Sequence, residues 1–144
     1  MTKLKVCFVG IGSIAKRHIR NLKKICCNRN ICLEIDAVRR KKVVDEETEL
    51  GIRKVYTDYS QLNEQYYVIF VTNPTEVHIS TLNALQSYGK HFFVEKPIVS
   101  INKINIAEKF EFSQAKSRLL RFRSINLEYL HFPSKVFLRR MRFL

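Results

Sequence analysis

The chain has 144 residues, enough for one domain with its own core. Apolar residues make up 46% and charged residues 27%, a globular balance that excludes a disordered chain, and no apolar run approaches the roughly 18 residues of a membrane helix. The net charge of +13 is unevenly spread: residues 115–144 carry eight basic side chains (Lys116, Arg118, Arg121, Arg123, Lys135, Arg139, Arg140, Arg142) against one acid, Glu128, so +7 of the total sits at that end.

Leu4 to Val9 is β-rich and stops at Gly10-Ile11-Gly12, too short for a secretory signal and without a small-residue cleavage site, so a cytoplasmic location is expected. The apolar period then changes to three or four. Ile11, Ala15, Ile19 (or His18), Leu22 and Ile25 form one helical stripe, and Asn28-Arg29-Asn30 ends it. Cys32 to Val38 reads as a second strand. Asp45 to Glu49 belongs to a short helix ending near Gly51, and Arg53 to Tyr56 is a short third strand. Thr57-Asp58-Tyr59-Ser60 starts another helical turn. Tyr67 to Thr72 is apolar on both faces, as in the middle of a parallel sheet covered by helices. Asn73-Pro74-Thr75-Glu76 predicts a capped helix start, with Asn73 as cap and Gly89 as the C-terminal glycine. His91 to Val94 is a further strand, and Ser100 caps a last helix through about Phe112. The four cysteines (Cys7, Cys26, Cys27, Cys32) include no C-x-x-C pair that would hold zinc, so no metal site is expected and the thiols are read as reduced, small apolar groups.

Strands alternating with helices imply βαβ units and a parallel sheet. Within that frame, Gly10-Ile11-Gly12-Ser13-Ile14-Ala15 fits G-x-G-x-x-A between a strand and a helix. Gly10 allows the tight turn, Gly12 lets the backbone approach a pyrophosphate, and Ala15 keeps the helix close to the strand. The helix start offers N–H groups and a positive dipole end to the phosphates. A carboxylate at the tip of the second strand would hold the ribose of NAD. Asp36 lies 21 residues after Ala15 but inside Ile35-Asp36-Ala37-Val38, whereas the tip is Arg39-Arg40. Guanidinium groups there suit a 2′-phosphate, which favours NADP over NAD; an ordinary solvated loop at 39–42 is the competing reading.

Two further stretches, Val71-Thr72-Asn73-Pro74-Thr75-Glu76-Val77-His78 and Gly89-Lys90-His91-Phe92-Phe93-Val94-Glu95-Lys96-Pro97, resemble motifs of the Gfo/Idh/MocA oxidoreductases, and the resemblance extends from residue 3 to about 112. It implies a Rossmann-like doubly wound parallel sheet binding NAD or NADP. It also implies hydride transfer to or from a hydroxyl-bearing carbon of a sugar or nucleotide sugar. By that resemblance Gly10, Gly12, Ser13 and Ile14 line the pyrophosphate. Thr72, Asn73, Pro74 and His78 pass along the crevice. Glu95, Lys96 and Pro97 lie under the nicotinamide, with Lys96 the catalytic candidate beside the substrate hydroxyl. Without the family pattern, Glu95 and Lys96 read equally as a surface ion pair, and His78 as a helix-face histidine.

The resemblance implies a substrate carried on a second, α+β domain, which this sequence is expected to lack. Residues 1–114 are therefore expected to be the dinucleotide-binding domain, and residues 115–144 a basic tail without a clean period. A truncated or frameshifted gene accounts for that tail; a genuine short basic helix is the alternative. A non-catalytic cofactor-binding subunit ranks second to the dehydrogenase half. Nucleic acid or a membrane surface as partner of the basic end ranks behind both, and homo-oligomerisation is left open.

Overall fold

The structure is a computed structural model and describes residues 2–97 together with the short strand Leu119–Leu120. The helix expected over 100–112 and the remainder of the basic tail lie outside the described residues. Strand β1 (Lys3–Val9) leads into helix α1 (Ser13–Asn28), β2 (Cys32–Val38), α2 (Val44–Leu50) and β3 (Lys54–Tyr56). A 3-10 turn at Tyr59–Gln61 precedes β4 (Tyr66–Val71). A second one at Thr75–Val77 leads into α3 (His78–Leu85), β5 (Gly89–Val94) and β6 (Leu119–Leu120). All strand pairs are parallel and the order is β3-β2-β1-β4-β5-β6, which is the doubly wound arrangement expected of the sequence. The sheet thus takes in Leu119 and Leu120, paired with Phe92 and Phe93, from the segment that the sequence set apart as tail.

The alternation of β1 explains why a sheet forms with helices on both faces. Leu4, Val6 and Phe8 point to one side, where they meet Ala15, Ile19, Leu22 and Cys26 of α1 and Leu50 of α2. Cys7 and Val9 point to the other, where Val38, Tyr66, Ile69 and Val71 pack with Leu82 and Leu85 of α3. Every apolar residue in these two layers is withdrawn from water, and that burial supplies the main drive to fold. A row of rings runs across the first layer: Phe8 stacks on Phe70 at 4.3 Å, and Phe70 meets Phe93 at 5.1 Å. Cys7 and Cys26 are buried, Cys27 is exposed and Cys32 lies between, all as free thiols. Burial pushes the Cys26 thiol up to about 11, and burial with the Asp36 carboxylate beside it raises Cys7 further.

Two local expectations need correction. Asn73 does not cap α3: its side-chain amide donates instead to Thr81 Oγ1 at 2.8 Å, so the chain first makes a 3-10 turn and α3 starts only at His78. Gly89 is not a helix-ending glycine either. It is the buried first residue of β5, where a Cβ would come within 2.8 Å of Ile69 Cδ1 and 2.9 Å of Phe92 Cζ, so packing across strands requires the absence of a side chain. Gly51, by contrast, does close α2 in the left-handed conformation (φ +67°).

Candidate functional site

In a doubly wound sheet the chain leaves β1 toward one side and β4 toward the other, so their C-terminal ends splay and open a crevice. Such a crevice, of about 940 Å³, lies here beyond β1, β2 and β4. Its floor is Gly10, Ile11, Gly12, Ser13 and Ile14; Arg39, Arg40 and Lys41 form one rim, and Thr72, Asn73 and Pro74 the other. The glycine turn, the basic tip of β2 and the exit of β4 are therefore brought together as the sequence implied.

The two glycines of the turn do different work. Gly10 has φ +83°, and a Cβ there would meet the backbone N and Cα of Asn73 at 3.0 Å. Its job is to let the β4 exit lie against the β1 exit. Thr72 completes that seam, its N–H and Oγ1 each donating to the Val9 carbonyl at 3.0 Å and its Oγ1 also reaching Gly10 O at 2.8 Å. Gly12 has nothing within 4 Å of where a Cβ would stand, so a ligand can approach its backbone closely. Gly12 is also the N-cap of α1 and supplies no side-chain cap to the first-turn N–H groups. Those donors face the crevice at the positive end of a 16-residue helix. Ala15, fully buried, lets the helix sit flush on the sheet.

At the basic rim, Asp36 is not a ribose ligand. It is fully buried and bidentate to Arg53 (Nε 3.0 Å, Nη2 2.7 Å), and it accepts from Tyr66 Oη at 2.9 Å. Arg39 stands at the tip but donates to Glu46 of α2 at 2.6 Å. Glu46 also pairs with Lys16, and these two cations, Lys16 first, hold its carboxyl below the ordinary value. Arg40 is exposed and has no hydrogen-bond or ion-pair partner among the described residues.

At the opposite rim, His78 is buried and its Nε2 donates to the Asn73 carbonyl at 2.8 Å; it braces the turn from beneath and does not line the crevice. Asn73 Oδ1 is an acceptor without a partner among the described residues, so this rim has unused capacity for a donor such as a ribose hydroxyl; His78 Nδ1 is likewise unpartnered but lies off the crevice. Tyr59 Oη and Thr81 Oγ1, 3.0 Å apart, extend the same polar wall, and sequence reasoning missed both. The Glu95-Lys96-Pro97 corner follows β5 on the same edge of the sheet, fixed by the Glu95 N–H donating to Val71 O at 3.0 Å. Lys96 and Pro97 are exposed there. Glu95 bonds His18 Nε2 at 2.7 Å, a partner given only as an alternative stripe residue by the sequence.

Uncapped N–H groups, an open Gly12 and an orphaned acceptor fit a dinucleotide, and comparison with known proteins agrees. Residues 4–119 match the family model described as "Oxidoreductase family, NAD-binding Rossmann fold". The chain belongs to the Gfo/Idh/MocA family. A myo-inositol 2-dehydrogenase of Thermotoga maritima is 28% identical over 128 residues, covering 88% of this chain and 37% of that protein. The scyllo-inositol dehydrogenase from Lactobacillus casei, solved with NAD(H) and scyllo-inositol bound, aligns with a TM-score of 0.64 at 24% identity over 83% of this chain and 36% of its own. The WlbA dehydrogenase from Chromobacterium violaceum, in complex with NADH and UDP-GlcNAcA, has the same fold at a TM-score of 0.64 and 20% identity, over 83% of this chain and 35% of its own. The chain thus spans about a third of the length of these relatives.

Proposed function

We propose that this chain is the dinucleotide-binding part of an NAD(P)-dependent dehydrogenase acting on a ring hydroxyl of a sugar, a cyclitol or a nucleotide sugar. The observation that carries the proposal is the uncapped start of α1 facing a crevice at the point where the strand order reverses. The N–H groups of the first turn bind the diphosphate. Asn73, with its unpartnered Oδ1, accepts from a ribose hydroxyl. The bound nicotinamide supplies a hydride acceptor or donor. Lys96, exposed at the end of β5, places a cation beside the substrate oxygen, where it stabilises negative charge on that oxygen. Relatives that bind inositol and a UDP-sugar support the substrate class.

For the cofactor the reading is NADP(H). With Asp36 committed to Arg53, the carboxylates nearest the β2 tip among the described residues are Glu46, already held by two cations, and Asp58 on the crevice wall, which accepts from the N–H and Oγ of Ser60. Arg40 is uncommitted and lines the crevice, so it takes the 2′-phosphate, with Arg39 as neighbour. Fluorescence titration of the 144-residue chain should show enhancement with NADPH at about tenfold lower concentration than with NADH, and Arg40→Ser should bring the two together. No enhancement with either cofactor at millimolar protein would remove the reading altogether. Sugar turnover by this chain without a substrate-bearing partner is expected to be weak.

A further inference from the structure

We infer that His18, on the first helix, is a positioning residue that sets the Glu95-Lys96-Pro97 corner against the nicotinamide end of the crevice. The inference rests on the dinucleotide reading above and adds to it a link between the two ends of the site. His18 is a histidine at 3% exposure, on the face of α1 that also buries Ala15, Ile19 and Leu22. It is out of place in an apolar layer unless its ring nitrogen is satisfied. Its satisfaction comes from Glu95 Oε1 at 2.7 Å, across 77 residues of sequence. An ionised carboxylate only accepts, so Nε2 carries the proton in this pair. The ring cannot swing away, because its edge meets Phe93 at 5.0 Å and it lies 6.2 Å from Phe70, on the aromatic row that crosses β1, β4 and β5.

The consequence follows from where the two partners sit. Gly12 to Ala15 begin the helix that faces the diphosphate, and His18 follows within the next turn of the same rigid element. Glu95 is the first residue beyond β5, with its backbone fixed to Val71 O and its side chain one-fifth exposed. A single part-buried hydrogen bond therefore ties the helix that grips phosphate to the corner that carries Lys96. A surface ion pair, the simpler reading of Glu95 with Lys96, does not account for a carboxylate turned inward onto a buried imidazole.

The test separates positioning from general support of the fold. Wild type and His18→Phe are titrated with NADPH and with 2′-phospho-ADP-ribose, which is the same ligand without the nicotinamide, and in parallel with NADH and ADP-ribose. His18→Phe should weaken the nicotinamide-bearing ligand about tenfold and lower its bound fluorescence, while the nicotinamide-free ligand binds as before. His18→Gln, which keeps an N–H close to the position of Nε2, should restore most of the loss. Equal weakening of both ligands, or no change in either, overturns the positioning role while leaving the cofactor reading intact. A His18→Phe chain that fails to fold leaves His18→Gln as the deciding variant: it must hold the nicotinamide-free ligand at wild-type strength and bind NADPH nearly as well. Wild type that binds none of the four ligands overturns both readings together.

Discussion

Two clusters of cations gathered around carboxylates sit at opposite edges of the sheet, and they differ in balance. At the N-terminal edge, Lys3, Lys5, Arg53 and Lys54 meet three acids, Glu34, Asp36 and Glu64. At the C-terminal edge, Lys16 and Arg39 share the carboxylate of Glu46, and Arg40 and Lys41 stand on the crevice wall with Asp58, so four cations meet two acids. The first cluster closes on itself and joins β1, β2, β3 and the entry to β4. The second leaves an excess of positive charge where an anionic ligand is expected. On the proposed function, charge serves the fold at one edge and recognition at the other.

The strongest way to break this division is at Asp36. Its carboxylate has no exposure, and it satisfies Arg53 twice and Tyr66 once. Removing it takes two hydrogen bonds from the Arg53 guanidinium, which keeps Glu64 and Glu34, and leaves the buried Tyr66 hydroxyl without its acceptor. Asp36→Ala should cost about 3 kcal/mol, toward the low end for a buried pair because Arg53 remains partly solvated. Denaturant unfolding measures the loss. At a temperature where the variant is still folded, NADPH affinity should stay near wild type. A variant as stable as wild type but defective in cofactor binding would return Asp36 to the ribose.

The same contrast recurs inside the glycine turn and gives a smaller effect. Gly10→Ala forces a side chain into a left-handed backbone and against Asn73, and should cost about 2 kcal/mol of stability. Gly12→Ala meets open space and an extended backbone (φ −92°, ψ −173°), so its stability cost should stay below about 1 kcal/mol. Its methyl group stands where the diphosphate must approach, and NADPH affinity should fall about tenfold. Paired melting and titration of the two variants give the comparison. Equal losses of binding at equal stability would mean that the turn makes no distinction between fold and ligand.

What the sequence made legible follows a physical pattern. Cys32 to Val38 reads as the strand it is, and the end of α2 at Gly51 and the turn at Gly10 are evident because each rests on a local rule of period or dihedral angle. Among the site residues, Gly10, Gly12, Ser13, Ile14, Arg39, Arg40, Thr72, Asn73 and Pro74 are brought to one crevice. The pairings that decide the role of each polar group left no such trace. Asp36 finds Arg53 at 17 residues and Tyr66 at 30, and His18 finds Glu95 at 77, through contacts with no sequence period. Spacing alone pointed to Asp36 for the ribose, and only its burial shows that it serves the sheet. Gly12, read from its motif as a point of close approach, does face open space, whereas Gly89, read as a helix end, faces the side chain of Ile69 inside the sheet.

The smallest expected effect concerns acid. Lys5 first, then Lys54 and Arg53, hold the Glu64 carboxyl far below its ordinary 4.5, and Lys3 does the same less strongly for Glu34. A carboxylate whose value is depressed by folding contributes stability above its unfolded value, and that contribution fades as pH falls through the folded value. The melting temperature should therefore be nearly level from neutral pH to about 5 and then decline steadily. Glu34, Glu64 and Glu46 are each partly exposed, so the slope should be modest and should shrink further in high salt. Glu64→Gln should flatten the acid limb more than Glu46→Gln, because Glu64 serves three cations and Glu46 two. Glu46→Gln should instead free Lys16 and Arg39 and tighten NADPH relative to NADH. If the two variants flattened the acid limb alike and neither altered cofactor preference, the edges would be doing the same job, and the crevice charge would have to be read as part of the scaffold.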